Sequence, residues 1–224
     1  MAAVKRRTYD NSRRLAQARA TRTHVAQTAH RLFLERGYPG TTIEAIAQTA
    51  GIPLATVFRL FGNKRGILAA VLDLAFGGDD EPVAFHERAA VRSALAELDP
   101  WRLVEAFAGI CRELLDRSSA IQEVVRSAAA VDAEAADMLA VSAQQRLTGQ
   151  ARVAKALADR GALAGGIDLH QATDIIYMLM SPEVHRILTV ERGWSGDEYQ
   201  RWLARALRAM LLGDAAPAKP RQRV

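Results

Sequence analysis

One cysteine, Cys111, in 224 residues excludes a disulfide scaffold. The five histidines are scattered, and none joins a cluster with the spacing of a structural zinc site, so no metal or other cofactor is implied. Reducing, cytosolic conditions are the expected setting. No segment approaches the roughly 18 consecutive apolar residues that a membrane span needs. The first 22 residues are basic but lack the apolar stretch of a secretory signal; their arginines and scarce acids are shared with organellar transit peptides. Proline is scarce at 7, and so are the aromatics, with 6 Phe, 4 Tyr and 3 Trp, whereas alanine occurs 43 times. That balance suits helices more than sheets. The length allows one or two domains of about 100–200 residues.

Acidic residues are scarce in one region only. Up to Ala75 there are twelve cations and four anions, a surplus of eight; the remainder carries −3, within an overall +5. A basic module joined to a mildly acidic one suggests that the first meets a polyanion. Charge alone leaves open a solvated tail with no partner.

Local pattern separates those readings. From about Arg19, the positions Val25, Ala29, Leu32 and Phe33 recur at helical spacing, and Gly37 is placed to end that helix. Thr41 followed by Glu44 has the form of a capping box for a second helix carrying Ile43, Ile46, Ala47 and Ala50 inward, stopped by Gly51. A third helix is predicted from about Pro53 to Phe61, and Asn63 is placed to cap a fourth bearing Ile67, Leu68, Val71, Leu72 and Ala75. Two short helices across a Gly-containing turn form a helix-turn-helix, whose second helix enters the DNA major groove. The alternative is an ordinary helical hairpin in a bundle core. The surplus of eight and the outward Thr56 and Arg59 favour DNA.

These residues also carry a resemblance. The run Phe33-Leu34-Glu35-Arg36-Gly37-Tyr38, then Thr41-Thr42, Ile46-Ala47, Ala50-Gly51-Ile52, Thr56-Val57-Phe58, Phe61-Gly62-Asn63-Lys64 and Ile67-Leu68 resembles the amino-terminal domain of the TetR family of transcriptional regulators. A weaker likeness continues through Ser181-Pro182-Glu183-Val184 and Arg192-Gly193-Trp194-Ser195 to Tyr199. The resemblance implies an all-α homodimer in which a helix-turn-helix domain is followed by a larger helical domain for ligand binding and dimerisation. It implies double-stranded DNA and a small-molecule effector as partners, in the bacterial cytoplasm and associated with the nucleoid through DNA. The phosphate contacts it implies are Thr42, the ring at Phe58 and Lys64. Lys64 and Arg65 stand at the positive end of a helix dipole, which an anion there would offset. Phe58 occupies a position where the family commonly has Tyr, so a phenolic contact is absent. Pro53 and Leu54 replace positions that are often polar. Base reading then falls to Thr56 and Arg59, with Leu54 and Ala55 offering apolar contacts.

The organisation expected is a basic, disordered arm over 1–18, a DNA-binding domain over 19–76, a helical domain over 80–213 and a tail over 214–224. Helices are expected at about 82–98, 100–117, 119–131, 132–160, 168–191 and 196–212, the third and fourth forming one bent helix and Pro182 kinking the fifth. Ile175, Ile176, Leu179, Trp202, Leu203, Ala206, Leu207, Met210 and Leu211 offer an apolar surface that the resemblance assigns to a dimer. Phe107, Cys111, Met138 and Tyr177 combine apolar bulk with polar tips and are the candidate ligand pocket. The sequence shows no phosphate loop, nucleophile elbow or paired-histidine motif, so no enzyme is expected. An architectural DNA-binding protein without an effector remains the alternative, with an enzyme a more distant one.

Overall fold

The computed structural model describes residues 3–78, 83 and 85–212, and among them there are helices and turns but no strand. The chain forms two compact units, one of Met1–Pro82 with Ala120–Leu139, the other of Val83–Ser119 with Ala140–Val224. The division is not linear in sequence, as a single boundary near residue 78 would have it. Residues 120–139 join the first unit because Ile121, Val125, Ala128 and Ala135 bury themselves in its core. The expected tail lies outside the described residues.

The first unit holds α1 (Ala3–Arg36), α2 (Ile43–Ala50), α3 (Leu54–Phe61) and α4 (Lys64–Gly77). Helix α1 begins at Ala3, well before Arg19. Residues 12–20 are exposed throughout, so no apolar stripe marks this stretch; alanine, arginine, leucine and glutamine carry the helix on propensity. Gly37 ends it at φ +70°, its N–H bonded to the Phe33 carbonyl at 3.0 Å. Gly51 ends α2 at φ +66°, a left-handed conformation that makes the tight turn into α3.

The cap of α2 is Thr42, whose side chain accepts from the Ala45 N–H at 3.1 Å. Thr41 does not form the predicted box. It is fully buried, with its hydroxyl turned to the carbonyls of Gly37 at 2.8 Å and Leu32 at 3.1 Å, at the end of α1. With the cap at 42, the third helical residue is Ala45, and Glu44 stands one place too early. Pro53 stands at the N-cap of α3 and not inside its first turn.

The second unit takes in a short 3-10 turn (Phe85–Glu87), α5 (Ala89–Ala96), parts of α6 (Pro100–Ala129) and α7 (Ala133–Ala158), then α8 (Leu169–Leu179), α9 (Pro182–Arg186), a π-helical turn (Ile187–Glu191) and α10 (Gly196–Leu211). The break expected near residue 118 is absent. Ser118 donates its hydroxyl back to the Leu114 carbonyl at 2.8 Å, and α6 continues. The chain breaks instead before α7, where Asp132 accepts from the N–H groups of Glu134 and Ala135. Pro182 marks a full break: Ser181 accepts from Val184 N–H, and the proline takes the first position of α9. Of the apolar surface read from the last helices, Ile176, Leu179, Leu203, Leu207 and Leu211 belong to the core. Ile175, Trp202 and Ala206 are half-buried, and Met210 is exposed.

Candidate nucleic-acid interface

Helix α3 buries Val57 completely and turns Leu54, Ala55, Phe58 and Arg59 outward. Spacing of i, i+1, i+4 and i+5 places these four on one stripe. Thr56, a predicted base reader, is half-buried beside that stripe. Among the described residues no hydrogen bond or ion pair engages Arg59, whose guanidinium stands available to an outside partner. Two large apolar side chains, Leu54 and Phe58, remain 37% and 43% exposed on a helix of only eight residues. Such a surface is costly to leave in water and suits contact with an apolar group such as a thymine methyl.

Two side chains of α1 that sequence reasoning missed hold this element in place. Arg22 donates to the Leu60 carbonyl at 2.7 Å, with its guanidinium 4.6 Å from the Phe61 ring centre. His24 Nε2 lies 3.0 Å from the Ala50 carbonyl; as a carbonyl only accepts, this nitrogen carries the proton. Together they satisfy carbonyls at the ends of α3 and α2. Neither residue belongs to an apolar stripe, so the sequence offered no signal for them.

At the start of α4, Asn63 accepts from Gly66 N–H at 2.8 Å. Gly66 has no room for a side chain, since a Cβ would collide with the Phe61 carbonyl oxygen. Lys64 is turned inward. Its ammonium donates to the carbonyls of Tyr38 at 2.8 Å and Thr41 at 3.0 Å and lies 4.1 Å from the Tyr38 ring centre. Desolvation lowers its pKa from the ordinary lysine value. Arg65 pairs with Glu134 at 3.4 Å. The two cations at a positive helix end are thus balanced by carbonyls and a carboxylate of the same unit. Thr42 is exposed beside the cap it forms. The side chains of Lys5, Arg6 and Arg7 lie outside the described residues; Arg13 and Arg19 are exposed on α1.

The four pocket candidates divide between the two units. Phe107 and Cys111 lie in the core of the second unit, and burial pushes the Cys111 thiol up to about 12, the opposite of a reactive cysteine. Met138 packs against the core of the first unit. Tyr177 is half-buried under the Arg146 guanidinium, 3.5 Å from its ring centre, and its carbonyl accepts from the same arginine at 3.0 Å. Sequence reasoning missed a polar group in the second unit. His185 Nε2 meets Asp116 Oδ1 at 3.0 Å, and Asp116 Oδ2 meets Arg112 Nε at 2.8 Å. The His185 ring stands edge-on to buried Tyr199 at 4.8 Å. Among the described residues no three His, Cys, Asp or Glu side chains converge as metal ligands, and no helix is long and apolar enough to cross a membrane.

Residues 26–71 match the family described as "Bacterial regulatory proteins, tetR family". The uncharacterized HTH-type transcriptional regulator YvkB of Bacillus subtilis (strain 168) is 39% identical over 54 residues, 24% of this chain and 29% of that protein. The HTH-type transcriptional repressor ComR of Escherichia coli (strain K12) is 35% identical over 72 residues, 31% of this chain and 34% of that protein. The matches thus span about a third or less of these curated relatives. In three dimensions the chain is similar to SmeT in its triclosan complex, with a TM-score of 0.64 and 20% identity over 92% of this chain and 99% of that one. The all-helical fold is therefore shared with SmeT across 92% of this chain, while the match to the TetR family lies in residues 26–71, around the helix-turn-helix.

Proposed function

We propose that this chain, which belongs to the TetR family through its amino-terminal domain, is a DNA-binding transcriptional regulator of the repressor type. The observation that carries the reading is the outward stripe of α3, Leu54, Ala55, Phe58 and Arg59, on a segment with a surplus of eight cations. Arg59 reads guanine in the major groove, Leu54 and Ala55 meet apolar base edges, and Thr42 and the Phe58 ring lie against the sugar-phosphate backbone. Thr56, half-buried, contributes less. Lys64 keeps one ammonium proton beyond its two carbonyl bonds, so any phosphate contact it makes is secondary.

The operator is approximately palindromic, because a two-fold homodimer presents α3 twice, one helical turn of about 34–36 Å apart. The second unit answers a small molecule. SmeT, similar in fold, was solved with triclosan; here the support is the polar group buried among the core residues of that unit. Ligand and operator oppose each other by linkage, so a ligand that weakens DNA binding tenfold must itself be weakened tenfold by DNA, about 1.4 kcal/mol of coupling.

The test begins with operator selection from random duplexes by the full chain. Arg59→Ala should lose about 1–3 kcal/mol at one base pair per half-site while keeping its affinity for random DNA. Equal losses on both would assign Arg59 to phosphate. No enrichment of any duplex, or an affinity independent of salt, would end the DNA reading.

A further inference from the structure

Among the described residues of the second unit, Tyr199 Oη, His185 Nδ1 and Gln150 Oε1 are buried without a partner of full hydrogen-bond geometry. Tyr199 is fully buried, and His185 and Gln150 keep 4% and 6% exposure. Stranding such groups away from water is unfavourable, and phenylalanine or leucine would fill the same space without that cost.

Two of the three are adjacent, and their chemistry is complementary. Asp116 accepts the bond from His185 Nε2, so a ring proton sits there and Nδ1 is the ring nitrogen left without a partner. The Tyr199 ring stands 4.8 Å from the His185 ring, and its hydroxyl interacts with the neighbouring Cys111 thiol, a weak hydrogen-bonding group. A hydroxyl both donates and accepts, so it has the capacity to pair with Tyr199 Oη and with His185 Nδ1. The surroundings are rings and apolar side chains: Trp202 lies 5.9 Å from Tyr199, and Phe107 is one turn before Cys111 on α6. Charge is disfavoured there. Asp116 is already paired with Arg112, and burial holds both the Cys111 thiol and the Tyr199 phenol in their neutral forms.

We propose that Tyr199 and His185 anchor a ligand site in the second unit that takes uncharged small molecules pairing a hydroxyl with an aromatic body. This rests on the ligand-responsive reading above and gives that ligand its chemical class. A phenolic hydroxyl fits best, because its ring packs with those of Tyr199 and Trp202.

The experiment titrates the full chain calorimetrically with phenol and with toluene, which differs by the hydroxyl. Phenol should bind about tenfold more tightly, as two ordinary hydrogen bonds allow. In Tyr199→Phe, with folding checked by its melting temperature, that preference should fall to about threefold or less. The preference on the unmodified chain needs no variant. Equal affinities, no phenol binding at millimolar concentration, or a preference untouched in Tyr199→Phe would overturn the site. DNA affinity measured in the same solutions separates the two ideas. Phenol bound through Tyr199 without loss of DNA keeps the site and removes the ligand-responsive reading. Loss of DNA without a phenol preference does the reverse.

Discussion

Among the described residues the first unit leaves one buried side-chain atom unmet, His30 Nε2, and the second leaves more, although there too Arg160 and Arg146 reach backbone carbonyls. In the first, Arg22, His24, Thr41 and Lys64 all reach backbone carbonyls, at Leu60, Ala50, Leu32 and Gly37, and Tyr38 and Thr41 respectively. Apart from that of Leu32, inside the last turns of α1, these carbonyls lie at helix ends and in the α1–α2 loop, where no intrahelical partner exists. The outcome is a set of short helices pinned at their ends, which presents α3 in one orientation. In the second unit, Tyr199, His185 and Gln150 are buried with unmet atoms. A part that must present a fixed surface benefits from satisfied ends, whereas a part that must receive a partner benefits from polar groups that the partner satisfies.

The change expected to break the first unit most severely is Gly66→Ala. Its Cβ would collide with the Phe61 carbonyl at the junction of α3 and α4. Forced displacement in a packed site costs about 1–3 kcal/mol, so thermal melting should drop clearly and DNA binding should fall for every sequence alike. A variant that melts like the parent would show that this junction yields easily and that the ends of α3 are not fixed as the geometry requires.

Next in size is Lys64→Ala, which sharpens the comparison by separating internal support from DNA contact. Removing a charged donor from two carbonyls should cost about 1.5–3 kcal/mol of stability. Because Lys64 is already engaged, the dependence of log affinity on log salt should stay nearly unchanged. A phosphate contact from each protomer would instead flatten that slope by about 1.8. A flattened slope with unchanged melting would return Lys64 to the role that its position at a helix start suggests from sequence.

That pair of outcomes bears on what the sequence could tell. Helices α2, α3 and α4 were legible because their apolar positions recur at helical spacing and because Gly37, Gly51 and Asn63 punctuate them. Arg59, read outward from the sequence, stands outward, whereas Thr56, read outward with it, is half-buried. The inward turn of Lys64 was not legible: helix-dipole reasoning sees a cation at the wrong end, and only the fold shows the carbonyls of Tyr38 and Thr41 coming to meet it. Thr41 and Thr42 are interchangeable as caps in sequence, and burial of one decides between them. In the second unit, a break was expected between 117 and 119, but the Ser118 hydroxyl turns back on its own helix and α6 runs through. Tyr199, His185 and Asp116 are 69 and 14 residues apart in sequence, and no spacing rule brings them together.

The smallest expected effect concerns the entry of α10, where the second unit does satisfy its ends. Ser195 and Glu198 form a reciprocal capping box: the Ser195 side chain accepts from Glu198 N–H, and the Glu198 carboxylate accepts from the Ser195 N–H at 2.7 Å and hydroxyl at 2.8 Å. Those bonds, the backbone one first, hold the Glu198 carboxyl below its ordinary value of 4.5. A carboxyl lowered in the folded state contributes stability that is fully present above its unfolded value and is lost as pH falls through the folded one. Glu198→Gln should therefore melt slightly below the parent at pH 6. The gap should close below pH 4.5, as the parent's own carboxylate takes up a proton. Melting curves of both proteins across that range test it. A gap that persists undiminished at the acid end would show that the charge contributes nothing and that shape alone holds the cap, making this end of the second unit indifferent to the carboxylate that closes it.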